Sequence, residues 1–183
     1  FNSHGMTGCL NFFNVFFQDT SIDAENGKCE DVVNIINSRG SLKKINIQNA
    51  SADALDLDFS DINIDQINVY NAKNDCIDVS AGIYNFNSVN VKKCLDKGVS
   101  VGEKSVIKMD EIFINDVNIG VSTKDSSITN IKKGNFKSTK YCYEVKKKKQ
   151  EFNGGLLLFD NILCPSTKLI DVNSLVNMNL NEL

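Results

Sequence analysis

The chain has 183 residues and a mass of 20.3 kDa, enough for one hydrophobic core and too little for a second comfortable domain. Hydrophobic residues at 42%, charged residues at 23% and a mean hydropathy of -0.20 exclude a disordered acidic tail, and no apolar run reaches the length of a membrane span. A net charge of -3 and a pI of about 5.2 give no global attraction for nucleic acid or anionic lipid, so no nucleic-acid partner is expected.

The sequence opens at Phe1 with neither an initiator Met nor a signal segment, and reads as part of a longer precursor. Residues 1–30 form an N-terminal cap and a first turn of irregular spacing, with Phe12, Phe13, Phe16 and Phe17 expected to supply a lid. The sole His, His4, lies near the free end and is incidental.

From Asp31 the chain falls into rows of 22 residues, beginning at Asp31, Asp53, Asp75, Lys97, Ile119 and Tyr141. The third column holds Val33, Leu55, Ile77, Val99, Val121 and Tyr143; the fifth holds Ile35, Leu57, Val79, Val101, Thr123 and Val145. Polar residues lie between them, an alternation of period two that a strand keeps on one face. A second strand recurs later in each row, at Ile45 and Ile47, Ile67 and Val69, and Val89 and Val91, then slips by one to Ile112 and Ile114. A one-residue insertion, balanced by a deletion before Ile119, accounts for the slip.

Strands at a fixed period, a single Pro and no helical periodicity predict an all-β fold: a single-stranded right-handed parallel β-helix of six to seven turns, with 22 residues per turn over residues 31–164. The right hand follows from the crossover rule for parallel strands. The 25 Asn suit the corners, and Asn49 and Asn71 are expected to stack. Residues 165–183 form a C-terminal cap or tail in which Leu169, Ile170, Leu175 and Val176 pack over the last turn.

Six cysteines without a CxxC pair disfavour a compact zinc site and favour disulfides in an oxidising compartment. Cys142 and Cys164 are 22 residues apart, in one column on adjacent turns. Cys76 and Cys94 meet around a corner of one turn, and Cys9 and Cys29 tie the first turn.

Two resemblances follow. The stretches Ser51-Ala52-Asp53, Asn74-Asp75, Asp96-Lys97-Gly98 and Ser122-Thr123-Lys124 resemble the successive catalytic turns of the polygalacturonase branch of β-helices, matching its motifs at Asp53, Asp75, Gly98 and Lys124. That family's His and Arg are replaced by Lys97 and Ser122, so the resemblance implies the fold and not the hydrolytic machinery. More closely, DALDLDFS, NDCIDVS, DKGVSVGEKS, NIGVSTKDSS and KKKQEFNGG resemble the β-helix repeat domains of large secreted bacterial proteins, some of which also carry a spore-coat-type kinase domain. This implies a secreted or cell-surface bacterial module.

The densest chemical feature is acidic. Asp53, Asp56 and Asp58 lie on one turn, Asp75 and Asp78 on the next and Asp96 beyond, with Asp56, Asp58 and Asp78 expected to face outward. Three readings follow: a solvated face neutralised by Lys97 and Lys124, a Ca²⁺ site of Asp56, Asp58 and Asp78, or a lyase or glycoside hydrolase using Asp56, Asp58, Asp75 and Asp78 with Lys97 as the cation. The run Lys146–Lys149 is expected to be a solvated loop or, with Lys132, Lys133, Lys137 and Lys140, a clamp on an acidic polymer. The expected function is a recognition or scaffold module that requires no cofactor, whose partner is a polysaccharide or a neighbouring surface protein; carboxylate catalysis on a polysaccharide is the alternative.

Overall fold

The computed structural model describes residues 6–178. It is all-β with no helix, a solenoid of about 8 coils stacked some 22 residues apart, one more than the repeat alone predicts. The strands are β1 (Gly8–Phe13), β2 (Phe16–Glu25), β3 (Asp31–Ile36), β4 (Arg39–Ala50), β5 (Asp53–Asp58), β6 (Asp61–Ala72), β7 (Ile77–Ser80), β8 (Ile83–Gly102), β9 (Val106–Lys124), β10 (Ile128–Lys146), β11 (Leu156–Leu163), β12 (Thr167–Ile170) and β13 (Leu175–Met178). Every pairing between them is parallel.

Two ladders run side by side along the axis. The first face stacks β1, β3, β5 and β7, then the C-terminal parts of β8, β9 and β10, then β12. The second stacks β2, β4, β6, the N-terminal parts of β8, β9 and β10, then β11 and β13. Val33, Leu55, Ile77, Val99 and Val121 stand in register down the first face, each 0% exposed. From the second face Ile45, Ile67, Val89 and Ile112 meet the same core, also in register. Burying such a side chain contributes about 1.5–3 kcal/mol, and no coil covers its own inner face, so stability accumulates coil by coil.

The corners are made by residues in the left-handed region. One series is Asn37, Phe59, Ala81, Glu103 and Asp125; another is Asn26, Asn49, Asn71, Lys93, Asp116 and Ser138. Where Asn occupies them, the amides bond from coil to coil: Asn71 donates to Asn49 at 2.8 Å and Asn49 to Asn26 at 3.1 Å. The slip in register is seated at the corner after Gly102, where Glu103 and Lys104 both take positive φ and Ile83 pairs with Val106. It is taken back by an irregularity between Cys94 and Lys97, before Ile119.

The ends depart from the repeat. Phe12 and Phe17 pack edge to face at 5.4 Å over the first coil, whereas Phe13 and Phe16 are exposed at 51% and 66%, so two of the four aromatics form the lid. Past Cys164, β12 and β13 extend both ladders within the segment expected to be a cap or tail. Leu169 and Val176 are half-buried there, while Ile170 and Leu175 face solvent.

Three disulfides join Cys9 to Cys29, Cys76 to Cys94 and Cys142 to Cys164, with Cα separations of 5.4, 5.6 and 5.9 Å. Among the described residues no cysteine is free. Disulfides persist in oxidising compartments, and this set fits an extracellular module.

Candidate functional site

The outward residues of the first face form a row along the axis: Asn34, Asp56, Asp78, Ser100, Ser122 and Glu144, each paired in register with the next. Strand alternation aims them away from the core. Asn34, Ser100 and Ser122 are nevertheless buried, while Asp56, Asp78 and Glu144 stay partly exposed. Asn34 is 1% exposed, and Ser100 and Ser122 are 0% exposed. Lys124 reaches back one coil to donate to Ser100 Oγ at 2.7 Å, its stem passing over Gly102. Ser122 donates to Glu144 at 2.9 Å.

The row divides chemically. In its N-terminal half Asn34 Nδ2 donates to Asp56 Oδ2 at 2.8 Å, Asp56 stacks on Asp78, and Asp58 lies two residues along the same strand. Burial, followed by the charges of Asp58, Asp31 and Asp78, pushes the Asp56 carboxyl up to about 9. Burial also raises Asp58, but its hydrogen bond with Asp56 pulls the other way. Burial and mutual repulsion thus favour the state in which the pair of carboxyls holds one proton between them. Two buried oxygens of this cluster, Asn34 Oδ1 and Asp78 Oδ1, have no hydrogen-bond partner among the described residues.

The flanking acids are better served. Lys97 forms ion pairs with Asp75 at 3.3 Å and with Asp96. Burial still carries Asp75 up to about 7, against the pull of Lys97. Burial alone would lower Lys97, but Asp75 and Asp96 outweigh it and raise the ammonium. Asp53 Oδ1 accepts from the Asp75 amide at 2.7 Å, and Asp75 Oδ1 accepts from the Lys97 amide at 2.9 Å. Asp31, bonded to Thr7, is pushed up to about 6, chiefly by burial.

Of the residues singled out from sequence, Asp56, Asp58 and Asp78 come together, and Asp75 pairs with Lys97 beside them. Lys124, expected with Lys97 to neutralise the acidic face, donates to Ser100 at 7% exposure, its ammonium lowered by burial against the opposing pull of Asp78. Among the described residues no group of three or more His, Cys, Asp or Glu is arranged to hold a metal ion.

The lysine run is dispersed. Lys146 pairs with Glu144 and Lys149 with Glu103, while the amides of Lys148 and Lys149 both bond Asp125 Oδ1. Lys133 pairs with Glu111, Lys137 lies over Phe113 and Lys140 over Tyr141. One residue escaped the sequence reading: Phe59, directly after Asp58, takes φ +49° and is 60% exposed. It lines a corner cavity of about 580 Å³ with Phe16, Arg39, Asp61 and Ile83. A hydrophobic residue at a corner column otherwise filled by Asn37, Ala81 and Glu103 was the available signal.

No protein-family model matches the chain, and neither a curated protein nor a solved structure shows significant similarity to it.

Proposed function

We propose that the chain is an extracellular recognition module that binds a polysaccharide over the acidic patch of its first face, where Asp56, Asp58 and Asp78 are partly exposed. The observation that carries this reading is the patch of acceptors at Asp56, Asp58 and Asp78, half-buried on adjacent coils with part of each side chain open to solvent, since a sugar chain presents hydroxyl donors at regular intervals. Phe59, exposed at the corner beyond Asp58, offers a ring face of the kind sugars stack on. A glycan array and a surface-protein pull-down test the reading. Binding to a polysaccharide that is lost in the Asp56→Asn, Asp78→Asn double variant is expected; absence of any glycan ligand sinks it and leaves a scaffold.

Carboxylate catalysis on the same chain is the second reading, favoured by one observation: Asp56 and Asp58 stand side by side on one strand with both carboxyls raised by burial, and a protonated acid beside an ionised one is the division of roles that glycoside hydrolysis needs. Hydrolysis suits the site better than elimination, since Lys97 is held by two carboxylates. Release of reducing ends from a polysaccharide panel, abolished by Asp56→Asn, is the expected result under this reading. Activity that survives Asp56→Asn, Asp78→Asn and Lys97→Ala together rejects it.

A further inference from the structure

We propose that the second face carries a further binding site, a groove for an acidic polysaccharide of extended β-1,4-linked sugars, with Tyr70 and Phe113 as stacking rings and Lys92 and Lys137 as cations. It shares no residue with the acidic patch of the first face, whose carboxyls repel such a ligand, and it does not rest on that reading.

Strand alternation sends Lys44, Asn46 and Gln48 outward, and each belongs to a column that continues from coil to coil. The middle column runs through Asn46, Asn68, Asn90, Phe113 and Asn135, and the column beside it through Gln48, Tyr70, Lys92, Asn115 and Lys137. Two cavities of about 490 and 450 Å³ lie along them, the first walled by Gln48, Tyr70 and Lys92 and the second by Phe113, Lys133 and Asn161. Asn90 lines both, so they join into one groove parallel to the axis. The amide ladder from Asn68 through Asn46 to Asp23 stops short of Asn90, whose exposed side chain bonds no other described residue.

Rings and cations alternate along this groove. Tyr70 lies on one coil, Lys92 on the next, Phe113 on the third and Lys137 on the fourth. Rings therefore recur every two coils, and so do cations, an interval of about 9.6 Å along the axis. That interval is close to the length of one disaccharide in an extended β-1,4-linked chain. Successive sugars of such a chain are turned over, and every second one presents the same face and edge. Alternate sugars thus meet the two rings, while the sugars between them turn their carboxylates toward the two lysines.

Without a ligand, the rings and ammonium groups rest on one another. Lys93 Nζ lies 5.3 Å from the centroid of Tyr70, and Lys137 Nζ 5.6 Å from that of Phe113. Such contacts are weak where water reaches them, so a sugar can take over the ring face as a carboxylate takes over the ammonium. Among the described residues Lys92, Lys93 and Lys137 have no carboxylate within ion-pair distance. The acids of the groove wall are Asp23 at its N-terminal end and Glu111, which Lys133 pairs at 3.4 Å.

Titration calorimetry of the whole chain with a β-1,4-glucuronate hexamer, cellohexaose and oligoglutamate tests the assignment. The first two share a backbone and differ in the carboxylate, and the third carries charge without a sugar ring. The glucuronate hexamer is expected to bind about tenfold or more tightly than either, and to weaken as salt is raised. Lys92→Gln with Lys137→Gln, both exposed, should abolish that preference at an unchanged melting temperature, whereas Asp56→Asn with Asp78→Asn should leave it intact. Equal binding of cellohexaose, or a preference that survives the lysine variant, overturns the proposal. Oligoglutamate binding as tightly overturns it in favour of an acidic peptide. Binding lost in the Asp56→Asn, Asp78→Asn variant overturns it by moving the ligand to the first face. Binding of none of the three overturns the groove alone, since the first-face reading is tested by the glycan array.

Discussion

Two columns of this solenoid stack under the same register with opposite consequences. At the corner, Asn26, Asn49 and Asn71 each present a donor and an acceptor, so that one residue type repeated along the axis satisfies itself. On the first face, Asp56 and Asp78 stack just as closely but offer only acceptors when ionised, and the column holds together by keeping a proton on the Asp56 and Asp58 pair and borrowing the amide of Asn34. A repeat architecture imposes stacking wherever it places a residue. A column whose chemistry fits stacking is a strut, and one whose chemistry does not is where a ligand has something to supply. Four perturbations sharpen this contrast.

The largest effect belongs to the core beneath the acidic row. Leu57 is 0% exposed and lies between Ile35 and Val79 in register. Leu57→Asp places an uncompensated carboxylate there, at a cost of several kcal/mol, comparable to the whole stability of a domain this size. Circular dichroism should show loss of the β signal at room temperature.

Next come the disulfides. Cys142–Cys164 ties adjacent coils across 22 residues, a closure contributing about 2–4 kcal/mol. Replacing both cysteines by Ala should lower the denaturant midpoint accordingly. A non-reducing peptide map of the natural source should contain this bridge, whereas six alkylatable thiols would place the chain in a reducing compartment.

Much of this was legible in the sequence, for reasons tied to period. The inward columns, the Asn49–Asn71 bond, the Cys76–Cys94 and Cys142–Cys164 pairings and the one-residue insertion all follow from rows of 22 and strand alternation, and Cys9–Cys29 is the pair that remains. The last coil was harder to see, because the insertion at 147–155 moves the partner of Ile128 to Leu156 and breaks the row. Burial within the outward row was harder still. Lys124 leans back across Gly102 onto buried Ser100, a choice of rotamer that periodicity does not encode. Burial sets the protonation of Asp56, and so the character of the site was hidden while its members were visible.

The acidic row predicts an unusual pH dependence. A carboxyl whose folded pKa lies above its unfolded value favours the folded state most in acid, below the unfolded pKa, and that contribution is lost as pH rises through the folded pKa. The loss runs from about 4 to about 6 for Asp31, to about 7 for Asp75 and to about 9 for Asp56. Melting temperature should therefore rise as pH is lowered from about 9 to about 5, opposite to the behaviour of salt-bridged carboxylates. Asp56→Asn, which keeps the shape and discards the charge, should raise the melting temperature at about pH 8 by ~2–4 °C, corresponding to roughly 1 kcal/mol. It should also flatten the alkaline side of the profile. A destabilised Asp56→Asn protein would mean that the row is already compensated.

The smallest effect tests the strut. Asn49 serves two purposes, bonding Asn26 and Asn71 and adopting φ +59° at the corner, and two substitutions separate them. Asn49→Gly keeps the left-handed backbone at no steric cost and removes only the amide. The lost hydrogen bonds are exposed and worth about 0.5 kcal/mol each in net stability, less for groups that water can reach. Asn49→Ala removes the same bonds and adds the strain of a side chain in the left-handed region, roughly 1–2 kcal/mol. Urea midpoints should thus fall slightly for Gly and further for Ala, with Asn49→Asp between them: it retains a side chain tolerated in that conformation, yet it turns a donor into an acceptor facing Asn26 Oδ1, the same mismatch that the acidic row carries at Asp56 and Asp78. If Asp were tolerated as well as Asn, donor and acceptor balance would not be what separates the two columns.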